Sequence, residues 1–379
     1  MDFVILANAW QDGLRNPTSK HHVAEELARQ GHRVLWINGA GMRTPSVAAG
    51  QDRSRILVKL KQAASGVQAV APGIHVIAPL IVPLPGRASV RRLNAFIYGT
   101  CARFAARRLG FAEPVLVNFL PMVPAFQRRW PWRRIYYCVD RWDAFDTYDT
   151  DLMLHLDEAC CRSADLVVTT SLMLTDRARS YGARVEEILH GVNHPHFARA
   201  LEVAERPDDM PPGPAVGFIG LISEWVDQAL LVRMARAHPE AAVVLIGKAD
   251  VDTAALAAEP NIHLLGPRPF ARLPEYLAHC RVGIIPFVVN ELTRAVNPIK
   301  LREMLAAGCP VVSTALPEVG RYTEGVDVAA DADGFVARVG ERLQAPLADD
   351  RRRALSAAVA GETWERKVGR LLALIVGQA

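Results

Sequence analysis

The sequence predicts an α/β protein made of two domains, each built on a parallel β-sheet. Short apolar segments alternate with amphipathic helical segments along the chain, a pattern typical of a parallel sheet covered by helices. A polar, proline-rich segment over residues 202–214 interrupts this alternation and predicts a linker. The 379 residues suffice for two domains of ordinary size. Two α/β domains joined in this way imply a ligand cleft between them.

Composition and charge are those of an ordinary globular protein. Half of the residues are hydrophobic and 22% are charged. Residues 1–199 contain 25 Lys+Arg and 17 Asp+Glu, or +8, whereas residues 200–379 contain 19 and 23, or −4. A basic N-terminal half suits an anionic partner on that side, and solvated surface arginines explain the same asymmetry.

The sequence pattern shows no targeting signal and no membrane-spanning segment. The N-terminus lacks the basic flank and the long apolar core of a signal peptide, and no apolar run reaches the roughly 18 residues of a membrane span. Six cysteines show no CxxC motif and no regular spacing, which predicts reduced, buried thiols. We therefore expect a cytoplasmic protein.

The N-terminal half begins with a predicted strand over residues 3–7 and, after a loop, a helix over residues 17–30. The loop lacks the GxGxxG fingerprint of dinucleotide-binding proteins. Ligands of open parallel sheets bind at the carboxyl ends of the strands, where such a helix begins. Lys20, His21 and His22, near the start of this helix, are therefore ligand-binding candidates, with a plain surface helix as the alternative.

Two basic segments follow. Residues 40–66 contain Arg43, Arg53, Arg55, Lys59 and Lys61, and residues 87–108 have a helical pattern with six arginines beside Leu93, Phe96, Ile97 and Phe104. Basic amphipathic segments can rest on an anionic membrane surface, and they can also be ordinary helices over a sheet. Both interpretations stay open.

Residues 128–134 are rich in arginine and tryptophan. A predicted strand over residues 135–139 follows at once, which favours a helix end and a loop over a nucleic-acid-binding patch. We therefore expect no nucleic-acid partner. Asp140 comes directly after this strand, at the ligand-facing edge of a parallel sheet. A general base and a cap of the next segment both fit this position.

The C-terminal half repeats the strand–helix alternation. The expected strands cover residues 215–220, 242–247, 262–266 and 282–287, and the expected helices cover residues 224–237 and 272–279. The first of these strands ends in a glycine turn at Gly220.

The most informative local pattern is a short helix that follows Asn297 and leads into a strand. Asn297 is predicted to cap the helix, with Pro298 at its first position and Gly308 in the left-handed conformation past its end. A helix N-terminus attracts anions, and Lys300 adds a full positive charge there. Glu303 lies three residues on and shares the face of Lys300. A cation can bind a diphosphate and a carboxylate can bind sugar hydroxyls. The two residues together therefore suit a nucleotide sugar.

Several motifs occur in a fixed order: Val139-Asp140-Arg141-Trp142, His190-Gly191-Val192-Asn193, Gly217-Phe218-Ile219-Gly220, and Asn297-Pro298-Ile299-Lys300-Leu301-Arg302-Glu303. In this order they resemble GT-B glycosyltransferases of family 4, and among those the members that build teichuronic-acid-type polymers. The resemblance spans about residues 3–375, and the segment from Asn297 is its specific part.

This resemblance implies an α/β GT-B fold, in which two Rossmann-like domains face each other across a central cleft. It divides the chain into an acceptor domain (1–201), a linker (202–214), a donor domain (215–362) and a last helix (363–379) that packs on the N-terminal domain. It implies acceptor binding on the side of Lys20, His21 and His22. It implies donor binding by Gly220, Lys248, Asn297, Pro298, Ile299, Lys300, Glu303 and His190.

No metal and no other cofactor is expected. The resemblance implies that helix N-termini and basic side chains stabilise the leaving diphosphate. The histidines also lack metal-ligand spacing.

Two departures from the family pattern bear on the mechanism. Retaining members carry a Glu-x7-Glu pair, of which Glu303 matches the second residue while Ala295 occupies the first position. The glycine turn that opens the donor domain lacks the Arg and Lys that members often carry there. Lys300 would therefore take much of the diphosphate charge, with help from Lys248 or Arg294.

Asp140, His190 and Lys300 also resemble residues of the bacterial glucuronosyltransferase that builds the xanthan side chain. In that enzyme the corresponding Asp is the base of an inverting reaction, and the Lys contacts the nucleotide. The resemblance therefore implies catalytic roles for Asp140 and Lys300. If the reaction is retaining, Asp140 would only position the acceptor. The missing first glutamate at Ala295 favours inversion over retention.

Together these features predict a glycosyltransferase that moves a hexosyl or glucuronosyl group from a nucleotide-diphosphate sugar, with UDP expected ahead of GDP. Its acceptor would be a carbohydrate, a lipid-linked or a small molecule in polysaccharide, glycolipid or natural-product glycoside biosynthesis. Peripheral contact with the inner face of the plasma membrane is an open expectation. A nucleotide-sugar epimerase of similar fold and a non-catalytic nucleotide-sugar-binding scaffold are the alternatives.

Overall fold

The computed structural model describes residues 1–10, 17–39, 65–82, 84 and 86–377. The predicted basic residues from Arg43 to Lys61 lie outside this part. The contacts divide the chain into two compact units. The first contains the N-terminal strand, Thr18–Leu189 and the last helix from Val368 onwards, and the second contains His190–Lys367.

The first unit is an eight-stranded sheet with helices between its strands. Its elements are β1 Asp2–Ala7, α1 Ser19–Arg29, β2 Arg33–Asn38, β3 Gln68–Ala71, β4 Ile74–Ile77, α2 Ala88–Arg108, β5 Val115–Asn118, α3 Pro124–Arg128, β6 Arg134–Cys138, α4 Thr150–Ser163, β7 Leu166–Thr169, α5 Leu172–Ser180 and β8 Val185–Glu187, with a 3-10 turn over Trp142–Ala144. The strand order is β3-β4-β2-β1-β5-β6-β7-β8, and only β3 runs antiparallel to its neighbour.

The second unit is built on a six-stranded, fully parallel sheet. Its elements are α6 His194–Ala198, β9 Ala215–Ile219, α7 Gln228–Ala237, β10 Ala242–Ile246, α8 Ala254–Ala257, β11 Ile262–Gly266, α9 Leu273–Ala278, β12 Cys280–Ile285, α10 Glu291–Arg294, α11 Ile299–Ala306, β13 Val311–Thr314, β14 Val326–Ala329, α12 Ala332–Gln344, α13 Asp349–Ala358 and the start of α14 Trp364–Val376, with 3-10 turns over Arg199–Leu201, Phe270–Arg272 and Val319–Arg321. The strand order is β11-β10-β9-β12-β13-β14.

Both sheets have the strand order of a Rossmann fold. The chain starts in the middle of each sheet, builds outwards to one side and then crosses to the other. This creates a switch point between β1 and β5, and another between β9 and β12, where ligands of such sheets bind. The predicted α/β class with two parallel-sheet domains is confirmed.

The core explains why these segments become central strands and inner helices. Phe3–Ala7 in β1 are fully buried, as expected for a parallel strand covered on both faces. In the second unit, Leu301 and Met304 of α11 pack into one cluster with Val244 and Ile285 of the sheet. This packing holds α11 firmly, because replacing a buried leucine by alanine costs about 2–5 kcal/mol.

Two local predictions differ from the structure. The β3–β4 hairpin, which turns at Gly73 with φ +75°, was not predicted. The helix expected from Glu224 begins only at Gln228, because the Asp227 carboxylate accepts a hydrogen bond from Leu230 N (2.8 Å) and caps the helix there. Residues before Asp227 form a turn instead, closed by Val226 N donating to Ser223 O (2.9 Å).

The proline-rich segment over residues 202–214 has neither helix nor strand, and it groups with the second unit. Tyr276 Oη donates to Asp209 at 2.8 Å, and Arg268 forms an ion pair with the same carboxylate at 2.5 Å. The segment is therefore fixed to the second unit by side-chain contacts. Among the described helices, none combines the length and the apolar character needed to cross a bilayer.

Candidate active site

Two glycine loops meet at the carboxyl edge of the second sheet. Gly220 follows β9, and its N–H donates to Ile246 O at 2.9 Å. Gly247 follows β10 with φ +154°, and a Cβ atom there would overlap the carbonyl oxygen of Gly220. Only glycine fits at position 247, for reasons of both conformation and space. The loops therefore offer backbone without side chains, which lets a phosphate group approach closely.

The start of α11 differs from the predicted one. The helix begins at Ile299, and Pro298 is the N-cap residue, so Pro298 lies one position earlier than predicted. Asn297 was predicted to cap the helix, and this is wrong. Its side chain is buried and occupied elsewhere, since Nδ2 donates to Glu318 at 3.1 Å and Oδ1 accepts from Arg302 at 2.8 Å. Gly308 does adopt the predicted left-handed conformation, with φ +69°.

Lys300 and Glu303 form an ion pair on one face of α11. Lys300 Nζ donates to Glu303 Oε2 at 2.8 Å. The lysine side chain is 24% exposed and that of the glutamate 4%. The pair thus holds a reachable cation within the first turn of a helix, where unpaired N–H groups already favour an anion. The shared face predicted for these two residues is confirmed.

A buried arginine anchors this helix start. Arg302 is fully buried, and its Nε donates to Glu362 at 2.7 Å. The hydroxyl of Tyr322 also donates to Glu362, at 2.8 Å. Burial raises the pKa of Glu362, but Arg302 and Tyr322 outweigh it and hold that pKa below its ordinary value. Arg302 thereby ties Asn297 and α11 to the segment before α14.

The remaining donor-side candidates have different surroundings. Ile299 is half-buried and Pro298 is buried, while Lys248 is exposed and contributes its backbone carbonyl to Ile222 N at 2.9 Å. His190 is buried, and its ring lies 5.9 Å from that of Trp364. The structure groups His190 with the second unit.

On the first unit, Lys20 and Asp140 form the centre of a second polar group. Lys20 lies in the first turn of α1, which follows β1, and Asp140 follows β6, two strands away at the same edge of the sheet. The ammonium of Lys20 lies 5.2 Å from the centre of the Trp142 ring. Burial lowers the pKa of Lys20, an effect that Asp140 partly offsets. Burial likewise raises the pKa of Asp140, and Lys20 partly offsets this.

A raised carboxyl pKa suits an acid–base group, because proton transfer is most efficient when the pKa lies near the working pH. Within the described part of the chain, the side chains of Lys20 and Asp140 have no hydrogen-bond partner in the protein. Asp140 is half-buried, whereas Lys20 is buried beside Trp142.

His21 and His22 are held by local contacts. His21 Nδ1 accepts a hydrogen bond from the backbone N–H of Thr18 at 3.4 Å, and its ring packs 5.0 Å from those of Trp10 and Trp36. Burial, followed by the charge of Lys20, lowers the pKa of His21 to about 4, so the ring is neutral at physiological pH. His22 Nδ1 lies 3.8 Å from the carboxylate of Glu25.

The turn that carries Trp142 rests on a buried ion-pair network that the sequence analysis missed. Asp143 pairs with Arg141 and Arg177, and Arg177 also pairs with Asp157 at 3.0 Å. Burial raises the pKa of Asp143, but the two arginines outweigh it and lower that pKa. Asp143 lies beside Trp142 in the Val-Asp-x-Trp motif, which was a usable signal. Arg177 lies on α5, and no local pattern links it to this turn.

The described ranges contain no group of three or more His, Cys, Asp or Glu side chains that could hold a metal ion. All six cysteines are free thiols; five are buried and Cys101 is half-buried.

The chain is similar to known glycosyltransferases in sequence and in fold. Residues 213–345, roughly a third of the chain, match the family model described as glycosyl transferases group 1. TuaH of Bacillus subtilis (strain 168), named as a teichuronic acid biosynthesis glycosyltransferase, is 26% identical over 219 residues. That match covers 53% of this chain and 55% of TuaH, so the chain spans about half the length of this curated relative.

Solved structures match over nearly the whole chain. The sucrose-phosphate synthase of Thermosynechococcus elongatus has a TM-score of 0.72 at 15% identity, with 100% of both chains covered. The trehalose 6-phosphate synthase of Burkholderia multivorans has a TM-score of 0.69 at 12% identity, with 99% of this chain and 98% of that chain covered. Anabaena HepE, solved in complex with UDP and glucose, has a TM-score of 0.66 at 12% identity, with 100% and 99% covered.

These likenesses agree with the Rossmann strand order of both units and with the predicted resemblance to teichuronic-acid-type glycosyltransferases. The chain therefore has the GT-B fold, and its residues 213–345 form a glycosyl transferases group 1 domain.

Proposed function

We propose that the chain is a glycosyltransferase that moves a sugar from a nucleotide-diphosphate sugar to an acceptor hydroxyl. The observation that carries this proposal is the Lys300–Glu303 pair at the start of α11, inside the region that matches the group 1 model. The helix start and Lys300 would hold the diphosphate, and Glu303 would accept hydrogen bonds from sugar hydroxyls. UDP is the carrier we favour, because the similar structure of HepE contains it.

In this proposal Asp140 is the general base and the reaction inverts the anomeric configuration. The carboxylate takes the proton of the acceptor hydroxyl while the oxygen attacks the anomeric carbon in line. The bond from that carbon to the diphosphate oxygen breaks, and the charge of the leaving diphosphate develops against Lys300 and the α11 N–H groups. These groups would stabilise the leaving diphosphate without a metal ion or another cofactor.

Ala295 supports inversion over retention. Retaining relatives would carry their first glutamate at this position, but Ala295 is fully buried at the end of α10. The residue present has no carboxylate, and its surroundings leave no exposed site for one.

The acceptor belongs to surface polysaccharide, glycolipid or natural-product glycoside assembly in this proposal. The 26% identity to TuaH, whose name refers to teichuronic acid biosynthesis, supports the polysaccharide class. A lipid-linked acceptor would require the first unit to reach a membrane surface. Lys20 and Asp140, both without hydrogen-bond partners in the described chain, are the groups expected to meet the acceptor.

Replacing Lys300 tests the donor site. The Lys300→Ala variant should lose about 10²–10³-fold in turnover, since it removes one charge that stabilises the leaving diphosphate. Turnover is measured by nucleotide release with a panel of UDP- and GDP-sugars, with and without a chelator. Arg338→Ala, an exposed change on α12, is the matched control. Wild-type turnover by Lys300→Ala would refute the assignment.

Three further measurements separate the alternatives. NMR of the product's anomeric proton distinguishes inversion from retention. Conversion of the donor sugar in the absence of any acceptor would indicate an epimerase. Nucleotide-sugar binding in a calorimetric titration, together with no turnover on a broad acceptor panel, would indicate a binding scaffold.

A further inference from the structure

The solvent face of α2 combines exposed aromatic side chains with arginines. Phe96 is 60% exposed and Phe104 66%, and Leu93 is also exposed. At about 100° per residue, Arg92, Arg103 and Arg107 project from the same side of the helix as these apolar side chains. We call these six residues the α2 face. Five of the 13 exposed large hydrophobic residues of the described chain lie between positions 80 and 104: Leu80, Leu84, Leu93, Phe96 and Phe104.

The charge around this face has one sign. α2 contains five arginines and no acidic residue. Between Asp52 and Asp140 the sequence contains 14 Lys+Arg and a single acidic residue, Glu113. Within the described ranges, Arg92, Arg103 and Arg107 form no salt bridge. Arginines without acidic partners beside exposed phenylalanines are the composition of a surface that binds anionic lipid.

A groove beside the α2 face is also lined by basic and apolar side chains. It has a volume of about 240 Å³ and lies between α2, α3 and α4. Arg91, Arg92, Arg128 and His155 contribute its polar side chains, and Met122 and Leu156 are among its apolar ones. The acids on α4 are Asp151, Asp157 and Glu158. Asp157 is buried and paired with Arg177 at 3.0 Å, and Glu158 is paired with Arg162 at 2.8 Å. None of the groove-lining side chains is acidic.

We propose that the α2 face docks on an anionic phospholipid bilayer. The phenylalanines and Leu93 enter the interfacial layer, the arginines contact lipid phosphates, and the groove takes one phosphate head group. Arginine suits this role because its planar guanidinium can donate two hydrogen bonds to one phosphate. The proposal goes beyond glycosyl transfer and does not depend on it, since docking requires neither the donor nor an acceptor.

Vesicle co-sedimentation of the full chain, without any nucleotide sugar, tests the proposal. We expect binding to vesicles of equal parts phosphatidylcholine and phosphatidylglycerol, and none to phosphatidylcholine alone. Raising the salt concentration to about 0.5 M should weaken binding, because it screens surface charge. Arg92→Glu/Arg103→Glu should weaken binding by more than about tenfold, as each basic residue near the membrane contributes about fivefold. Phe96→Ser/Phe104→Ser should also weaken it, by about tenfold.

Matched variants control for charge and apolar area. Arg351→Glu/Arg353→Glu changes two exposed arginines of α13, and Leu172→Ser/Leu264→Ser removes two exposed leucines. Both should bind vesicles like the wild type, and thermal unfolding verifies that every variant is folded. Equal binding to neutral vesicles, or unchanged binding by both α2 variants, would overturn the proposal. The proposal would also be overturned if the wild type does not bind anionic vesicles but self-associates in ultracentrifugation through Phe96 and Phe104.

Discussion

Two lysine–carboxylate pairs, one in each unit, are built differently. Lys300 and Glu303 lie on one turn of α11 and are joined by a hydrogen bond of 2.8 Å. Lys20 and Asp140 come from separate elements of the first sheet, and they influence each other through charge, without a hydrogen bond between them in the described structure. A preformed ion pair suits binding, because little reorganisation is needed when an anion arrives. An unpaired carboxylate with a raised pKa suits proton transfer.

Each pair is supported by an arginine, which is fully buried in the case of Arg302 and half-buried in the case of Arg177. Arg302 fixes the start of α11 through Asn297 and Glu362. Arg177 fixes the turn after Asp140 through Asp143 and Asp157. In the proposed mechanism the lysine–carboxylate pairs touch a substrate and the arginines position those pairs. Three substitutions test this division.

The largest effect is expected for Asp140→Asn. Loss of the general base should lower turnover by about 10³-fold. Donor affinity, measured by calorimetric titration, should stay unchanged, because Asp140 belongs to the other unit. Asp146→Asn, an exposed neighbour, should behave like the wild type. A loss of donor affinity with intact turnover would reverse the roles of the two pairs.

The second effect concerns stability. Arg302→Met leaves Glu362 and Asn297 without their buried partner, which should cost about 3 kcal/mol. The thermal unfolding midpoint should fall by about 6–12 °C, measured by calorimetry. Arg338→Met, which breaks an exposed pair with Glu341, should change stability by no more than about 0.5 kcal/mol. Equal midpoints for the two variants would show that Arg302 does not anchor α11.

The smallest effect is a shift in pH dependence for Lys20→Met. Lys20 partly offsets the rise in the pKa of Asp140, so removing its charge should raise that pKa further. A general base is active when deprotonated, and the acidic limb of the rate profile should therefore move to higher pH. Arg162→Met, a surface change on α4, should leave the profile in place. A shift to lower pH in Lys20→Met would contradict the coupling.

The features of the fold and of the site that could be predicted are those whose interacting residues lie close together along the chain. Residues 297–308 predicted the helix, the Lys300–Glu303 face and the end at Gly308, since these depend on contacts a few positions apart. The predicted cap was wrong because the Asn297 side chain forms hydrogen bonds with Arg302 and Glu318 instead. Contacts with residues distant in sequence leave no local pattern. The ion pair between Arg302 and Glu362 joins residues 60 positions apart, and it could not be predicted for the same reason.

The α7 boundary shows a related limit. Both Glu224 and Asp227 precede the helix pattern. Asp227 is the cap, and an isolated bridge between Val226 and Phe287 lies directly before it. Strands over short apolar runs were predictable because central parallel strands are buried on both faces. The β3–β4 hairpin lies at the sheet edge, where β3 is largely exposed and its pattern is correspondingly weak.

The contact of Gly220 with Gly247 has a consequence for attempts to change donor selectivity. A side chain at position 247 is excluded, and the adjoining loops share backbone hydrogen bonds. Random mutagenesis at position 247 should mostly yield unfolded or inactive protein. Leu221 and Lys248, the exposed residues next to the two glycines, can vary without disturbing that contact. They are the positions at which an engineered library would sample new nucleotide sugars while keeping the fold.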